Sequence, residues 1–358
     1  FECSSADIPI EFAANTIASP LTISGNLFPS AAGSGAGFRL SGSLSSGATL
    51  PLFQGEPWST SNFTIASAGT LTVPAGRVLR GPTGSAGQLS VSGSLQVNGA
   101  TLDRIGVSGS GTSTVSIDAS ILSNTVNFYV LSISAGQLNL TNSTITSSAP
   151  SFSAVSLAGT STGTISGNTF IVSSSSAAPL SLSTTANVSV TGNTLNLTAS
   201  TGGIGIDVSA VSSPSISGNL FQNNPAVSHT YIRLNVGSAS TATVTGNTFQ
   251  CSGLDVPYEL VGNSYVAPIT VSGNLFPTGT GAGTILSGTV ASSGTISAAF
   301  DSAPTSISSM TVASGATLTL PAGAPVVVSS SITVSAGGSL VLPPTSGLHG
   351  PTGSAGQL

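Results

Sequence analysis

Charged side chains are almost missing from this chain. Only 4 % of its 358 residues are Asp, Glu, Lys or Arg, and all five basic residues are Arg. A protein that binds nucleic acid needs a basic surface to neutralise phosphates, whereas this sequence has a net charge of −5 and a pI near 4.6. We therefore expect no nucleic-acid partner.

Other features are scarce as well. No run of 18 apolar residues occurs, so the sequence predicts no membrane span. Lys is absent and Glu is rare, which excludes a heptad coiled coil. Disordered chains lack apolar residues, but 39 % of this chain is hydrophobic. The composition instead favours an elongated, repetitive all-β protein.

A short motif repeats along the chain. It consists of an apolar residue, Ser or Thr, Gly and Asn, and it ends in Phe or Leu. The motif recurs at residues 23–28, 165–170, 190–195, 216–221, 244–249 and 271–276. The Asn residues predicted to form successive corners, one of them from the related run LTNSTI, are Asn26, Asn142, Asn168, Asn193, Asn219, Asn247 and Asn274. From Asn142 onward they are 25 to 28 residues apart, which fits one turn of a β-solenoid.

Apolar residues alternate with polar ones between these motifs, which places them on one face of each strand. The sequence therefore predicts an all-β fold, a parallel β-helix (β-solenoid) with about 22–28 residues per coil. We expect the corner Asn residues to tolerate left-handed backbone geometry and to stack in a ladder. The Gly before each Asn allows a tight turn, and the Phe or Leu two residues after it returns to the core.

A second repeat is much longer. Residues 1–29 align without gaps to residues 249–277, and the run GPTGSAGQL occurs at both 81–89 and 350–358. The second copy contains about 22 additional residues, which predicts one extra coil near 324–346. We therefore predict that residues 1–248 form one tandem module of a continuous β-solenoid and that residues 249–358 begin the next. We expect the parent polypeptide to continue on both sides.

These motifs carry a family resemblance. The Gly-Asn coils resemble the right-handed parallel β-helix repeats of the pectate-lyase-like superfamily. The runs LTVPAG and LTLPAG resemble bacterial adhesin solenoids of the filamentous-haemagglutinin and autotransporter kind. The resemblance implies the fold and implies little about chemistry.

Candidate catalytic residues are few. Glycoside hydrolysis needs two carboxylates within about 5–10 Å of each other, whereas the ten acids are scattered along the chain. Asp103 and Asp118 are the nearest pair that is not repeated, and we predict that they are isolated charges. The repeated pairs, Asp7 with Glu11 and Asp255 with Glu259, favour solvated loops, with an inter-repeat joint or a weak cation site as the alternatives.

Cofactor and metal sites are not predicted. His229 and His349 are far apart in the sequence and lack companions at metal-ligand spacing. The single Trp, Trp58, favours a loop anchor over a sugar contact.

The two cysteines, Cys3 and Cys251, are equivalent residues of the long repeat. In a solenoid they would be about ten coils apart, on the order of 50 Å, whereas a disulfide needs Cα atoms within about 7 Å. We predict that they do not bond to each other. Each is a free thiol or forms an intermolecular disulfide.

We therefore expect a secreted, non-enzymatic structural protein, located outside the cell or on its surface. It would be a segment of a fibre, stalk or surface appendage whose partner is itself. The alternatives are an adhesin stalk or glycan-binding surface protein and, second, a polysaccharide lyase or hydrolase. Possible glycosylation sites with the sequence Asn-x-Ser/Thr are Asn62, Asn139, Asn142, Asn187 and Asn196.

Overall fold

A computed structural model gives the structure of the chain. It describes residues 10–13, 17, 38–51, 57–124, 128–149, 151–173, 178–198, 203–209, 213–223, 227–250, 255–276, 283–296, 305–320, 322–323, 325–344 and 346–350. The chain divides into two compact units, Phe1–Ala177 and Ala178–Leu358. Each unit is a parallel β-solenoid, with about 24 residues per turn.

The first unit contains strands β1 to β19. Their bounds are β1 (Ile10–Ala13), β2 (Phe38–Leu44), β3 (Gly47–Thr49), β4 (Trp58–Ser59), β5 (Asn62–Ile65), β6 (Thr70–Val73), β7 (Val78–Arg80), β8 (Gly87–Val91), β9 (Ser94–Asn98), β10 (Thr101–Asp103), β11 (Ile105–Gly109), β12 (Thr114–Asp118), β13 (Ile121–Asn124), β14 (Leu131–Ile133), β15 (Gln137–Thr141), β16 (Thr144–Ser147), β17 (Val155–Gly159), β18 (Thr162–Ser166) and β19 (Thr169–Val172).

These strands form three parallel sheets. Sheet A contains β1, the first half of β2, β4, β7, β10, β13, β16 and β19. Sheet B contains the second half of β2, β5, β8, β11, β14 and β17. Sheet C contains β3, β6, β9, β12, β15 and β18. The chain passes from sheet C to sheet A to sheet B and back to sheet C in each complete coil.

The second unit contains strands β20 to β37 and one 3-10 helix, Gly262–Val266. The strands are β20 (Leu180–Thr184), β21 (Val188–Thr191), β22 (Thr194–Leu197), β23 (Ile204–Ser209), β24 (Ser215–Ser217), β25 (Leu220–Asn223), β26 (Thr230–Asn235), β27 (Thr243–Thr245), β28 (Thr248–Phe249), β29 (Val256–Val261), β30 (Thr270–Ser272), β31 (Thr284–Val290), β32 (Gly294–Thr295), β33 (Thr305–Val312), β34 (Thr317–Thr319), β35 (Pro325–Val334), β36 (Ser339–Val341) and β37 (Gly347–His349).

The second unit follows the same plan. Its sheet A contains β22, β25 and β28, and its sheet C contains β21, β24, β27 and β30. Its sheet B contains β20, β23, β26, β29, β31, β33, β35 and β37. A short fourth sheet contains β32, β34 and β36.

The core follows from the alternation of buried and outward-facing residues along most strands. In β15, Leu138 and Leu140 are buried, whereas Gln137 and Asn139 are exposed. The strand register stacks Leu138 on Val115 of the coil before it. Burying an aliphatic side chain contributes about 1.5–3 kcal/mol, so a narrow core of stacked side chains stabilises every interior coil.

Every described strand pair is parallel, which confirms the predicted parallel β-solenoid. The segment predicted as an extra coil contains β35 and β36, which pair with β33 and β34 in the preceding coil. The division into compact units falls after residue 177 of the sequence, whereas the predicted module boundary lies at residue 248. The two boundaries need not coincide, because the compact units are defined by spatial contacts and the modules are defined by the sequence repeat.

Candidate functional site

The corner between sheets C and A holds the most regular polar array in the second unit. It consists of Asn193, Asn219, Asn247 and Asn274, which we call the corner ladder, and all four side chains are buried. The side-chain Oδ1 of Asn247 accepts hydrogen bonds from the backbone N–H of Asn219 (2.9 Å) and from its Nδ2 (2.9 Å). Asn274 Oδ1 accepts the same two bonds from Asn247, and Asn219 Oδ1 accepts them from Asn193.

The amide nitrogens of the ladder also hold backbone carbonyls. Asn247 Nδ2 donates to the carbonyl oxygen of Ile216 (3.1 Å), and Asn219 Nδ2 donates to that of Val190 (2.9 Å). Because each side chain satisfies buried backbone groups of the coil before it, the ladder joins coils along the solenoid axis.

The first unit has an equivalent ladder made mostly of serine. Ser120 Oγ accepts from the backbone N–H of Ala100 (3.2 Å), and Ser143 Oγ accepts from that of Ser120 (3.0 Å). Asn168 Oδ1 accepts from the N–H of Ser143 (2.9 Å), and its Nδ2 donates to the carbonyl of Leu140 (2.8 Å). Serine thus replaces asparagine as the acceptor in the earlier coils.

Asn142 lies one position away from its predicted place. The strand register pairs Thr141 with Ser166 and Thr144 with Thr169, so Asn142 stands opposite Gly167 and Ser143 stands opposite Asn168. Asn142 has a φ of 50°, the left-handed geometry that Gly adopts in the other coils. Asn tolerates this geometry better than most residues, which allows LTNS to form the same corner as ISGN.

The left-handed residue of the later corners is the Gly, with φ of 66° at Gly167 and 62° at Gly246. Asn168, Asn193, Asn219, Asn247 and Asn274 do not adopt this geometry, although a corner Asn would tolerate it. Their role is instead to satisfy buried backbone groups. Asn26, the remaining predicted corner, lies outside the described residues.

Aromatic side chains stack beneath the corner ladder, two residues after each Asn. Phe221 and Phe249 are parallel with ring centroids 4.9 Å apart, and Phe249 and Phe276 are 5.3 Å apart. Tyr258 meets the edge of Phe249 at 5.3 Å. Phe221 and Phe249 return to the core as predicted, and Phe170 and Leu195 are buried at the same position in their coils, whereas Phe276 is only partly buried.

Among the charged residues, the second unit brings two acids and an Arg onto one outer face of sheet B. Arg233 makes two hydrogen bonds to Asp207, at 3.0 and 2.9 Å, and lies in register between Asp207 and Glu259. Glu259 accepts from Ser287 Oγ (2.9 Å). The two carboxylates are two coils apart, about 10 Å along the axis. Arg233 occupies the strand position between them.

In the first unit, Asp103 forms another charge cluster. It lies 3.7 Å from Arg80 and 3.6 Å from Arg104, and it accepts a hydrogen bond from Ser123 Oγ (2.9 Å). Asp118 is on sheet C rather than sheet A, so the structure does not bring these two acids together.

Asp118 accepts hydrogen bonds from Thr141 Oγ1 (2.6 Å) and Asn142 Nδ2 (2.9 Å). These two bonds, with that of Thr141 the stronger, hold the pKa of Asp118 below its ordinary value. A lowered folded-state pKa contributes stability above the ordinary pKa of aspartate, and that contribution is lost as the pH falls through the folded-state value.

We expect Thr141→Val to raise the pKa of Asp118 toward its ordinary value, because the strongest bond to the carboxylate is removed. Asn142→Ala should raise it less. NMR titration of the Asp118 carboxyl checks both shifts, with Thr164→Val on the adjacent strand as the control. An unchanged Asp118 pKa in Thr141→Val would contradict the assignment.

A buried polar cluster in the second unit was not predicted. Asp255 is fully buried and accepts from the backbone N–H of His229 (2.8 Å) and from the Tyr231 hydroxyl (3.3 Å). His229 Nδ1 lies 3.1 Å from the carbonyl of Val227 and 3.5 Å from Asp255 Oδ1. The expectation that Asp255 lies in a solvated loop is therefore wrong, because the stacked coil covers it.

This cluster is too deeply buried to meet a polymeric substrate. Thr230 pairs with Val256, so His229 and Asp255 stack one coil apart. From the sequence, this contact could have been predicted only by aligning the strands of successive coils.

Elsewhere in the core, burial raises the pKa of the Tyr265 hydroxyl.

The other predicted positions are spread over the surface. Asn62, Asn139, Asn142 and Asn187 are exposed, whereas Asn196 is half-buried. Cys3, Cys251 and Asp7 lie outside the described residues, and Glu11 is exposed on β1. Trp58 is buried against Phe12 and Phe38 rather than in a loop or at a sugar-binding surface.

Two negative findings apply to the described part of the chain. It contains no helix that is both long and apolar enough to cross a membrane. Within the same ranges, no three His, Cys, Asp or Glu side chains gather where they could hold a metal ion. Comparisons with protein-family models, curated proteins and solved structures found no match.

Proposed function

We propose that the chain is a structural segment of an extracellular fibre, stalk or surface appendage built from tandem β-solenoid modules. The proposal rests on the direction in which the buried polar side chains form hydrogen bonds. In the corner ladder they bond one coil to the next along the axis, as Asn219 does with Asn247. They are not directed toward a cleft.

The repeats support the same proposal. The second copy of the long repeat is predicted to contain an additional coil near 324–346, and β35 and β36 in this segment pair in parallel with β33 and β34. In a solenoid each coil contacts only its neighbours, so length changes by whole coils without rearranging the rest. A protein whose purpose is length and rigidity benefits directly from this property.

The charge pattern supports a non-enzymatic role. Arg233 binds Asp207 at both oxygens, and Asp103 lies between Arg80 and Arg104. In both cases the carboxylate is engaged by Arg rather than directed at a second carboxylate. We propose that these pairs hold adjacent strands together at the surface.

The surface composition supports an extracellular location and self-association. The outer face of sheet C carries hydroxyl and amide side chains in register, such as Ser116, Asn139 and Thr164. Such a surface has little net charge, so copies of the chain repel each other weakly when they lie side by side.

We expect purified protein to form thin, unbranched filaments when viewed by negative-stain electron microscopy. A module of 248 residues at about 24 residues per turn contains about ten coils, so the axial periodicity should be about 50 Å. A globular protein of similar mass, stained in the same way, is the control. Compact particles of the size of that control would overturn the proposal.

A further inference from the structure

The last described coil of the second unit exposes side chains that belong to the core. Its inward apolar residues are Ile332, Val334, Leu340 and Leu342, which we call the end face. One coil earlier, the equivalent residues are all buried, namely Met310, Val312, Leu318 and Leu320. In the end face, Ile332 is buried and Leu340 is partly exposed, whereas Val334 is 44 % exposed and Leu342 is 50 % exposed.

The backbone at the end face is also open. Residues 331–334 of β35 pair with β33, and β36 pairs with β34. On the opposite side, β37 pairs only with residues 325–327. No strand among the described ranges continues the sheet beyond residues 331–334 or beyond β36. A concavity of about 390 Å³, lined by Ile332, Thr333, Val334 and Leu340, lies there.

The first unit shows what covers an equivalent edge. Strands β5 and β6 occupy the corresponding position there, and β8 and β9 lie on them in parallel register. The stacked pairs are Phe63 with Leu89, Ile65 with Val91, Leu71 with Leu95 and Val73 with Val97. All eight of these side chains are buried.

The two edges correspond residue by residue. Leu71 is followed ten residues later by the run GPTGSAGQL, and Leu340 is followed by the same run at the same distance. Strand β7 in the first unit and β37 in the second occupy identical places in this alignment. In the first unit the run leads directly into β8, whose apolar residues cover Phe63 and Ile65.

We propose that the end face is a docking surface for one further coil with the sequence of residues 87–98, that is, the β8–β9 coil of another module. This inference rests on the tandem-module organisation in the proposed function. The incoming coil would make both apolar side-chain contacts and backbone hydrogen bonds with the end face. Val and Leu of the incoming coil cover Ile332, Val334, Leu340 and Leu342, and its backbone pairs with the open edges of β35 and β36.

The test extends the full chain. A copy of residues 90–149 is joined after Leu358, so that GPTGSAGQL is followed by the same sequence as in the first unit. Hydrogen–deuterium exchange is then measured for residues 329–342. We expect exchange in this segment to slow at least tenfold relative to the unextended chain, because its open backbone groups gain partners.

The matched control is an extension of equal length in which the appended copies of Val91, Leu95 and Val97 carry Val91→Ser, Leu95→Ser and Val97→Ser. We expect this extension to give no protection. Equal protection by both extensions, or none by the apolar one, would overturn the proposal.

A second measurement covers the case in which an extension fails to fold. Thermal unfolding of the extended chain should show a higher Tm than that of the control extension, with β31 to β36 unfolding as one unit. Absence of filaments in micrographs would count against the proposed function alone. Absence of protection at the end face would count against this docking surface alone.

Discussion

Replacing Asn247 by alanine is expected to destabilise the second unit by about 2–5 kcal/mol. The substitution removes the acceptor of the buried backbone N–H of Asn219 and the donor to the carbonyl of Ile216. Each buried polar group that loses its partner costs about 1–3 kcal/mol. Equilibrium urea unfolding, followed by circular dichroism, measures the change in the free energy of unfolding.

The first unit supplies a sharper comparison for the same position. Because Ser120 and Ser143 accept the corresponding backbone N–H through Oγ, Asn247→Ser should recover part of the stability that Asn247→Ala loses. Asn235→Ala, at an exposed position on β26, should change stability by less than about 0.5 kcal/mol. A loss in Asn235→Ala as large as in Asn247→Ala would show that the ladder has no special role.

The sequence was sufficient to predict the coils because one coil repeats two strong signals. Gly before Asn marks the corner, and alternation marks the strands on each side of it, as in residues 216–221. Where another residue replaces the Gly, the position of the Asn no longer marks the ladder residue. At LTNSTI the only Asn lies in the position of Gly, so counting from one Asn to the next placed Asn142 in the ladder instead of Ser143.

Contacts between coils were harder to predict. His229 meets Asp255, and Arg233 meets Asp207, in each case across 26 residues. Coil lengths vary with the loops between strands, so only the strand register identifies which side chains stack. An acid such as Asp255 therefore reads as solvated in the sequence, although the neighbouring coil buries it.

The end face illustrates the same limit. The repeat of GPTGSAGQL is evident in the sequence, but the sequence does not show that Val334 and Leu342 are exposed at an edge that no other described strand covers. That conclusion requires the pairing of β35 with β33 and of β36 with β34. Sequence and register together identify the coil that fits the edge.

Replacing Phe249 by alanine is expected to destabilise the second unit by about 3–5 kcal/mol, the usual cost of removing a buried aromatic side chain. The ring is stacked between Phe221 and Phe276 and meets the edge of Tyr258, so its loss leaves a cavity bounded by three aromatic neighbours. The surrounding coils can collapse only slightly, because backbone hydrogen bonds to the strands above and below fix their spacing. Urea unfolding checks the loss.

Two substitutions separate packing from other effects at this position. Phe249→Leu should cost less than half as much, because Leu195 fills the equivalent place in another coil of the same unit. Leu275→Ala removes a side chain that is 64 % exposed and should change stability by less than about 0.5 kcal/mol. If Phe249→Ala were as mild as Leu275→Ala, the aromatic stack would contribute nothing to coil stacking. The rigidity needed for a fibre would then depend on the hydrogen-bonded ladder alone.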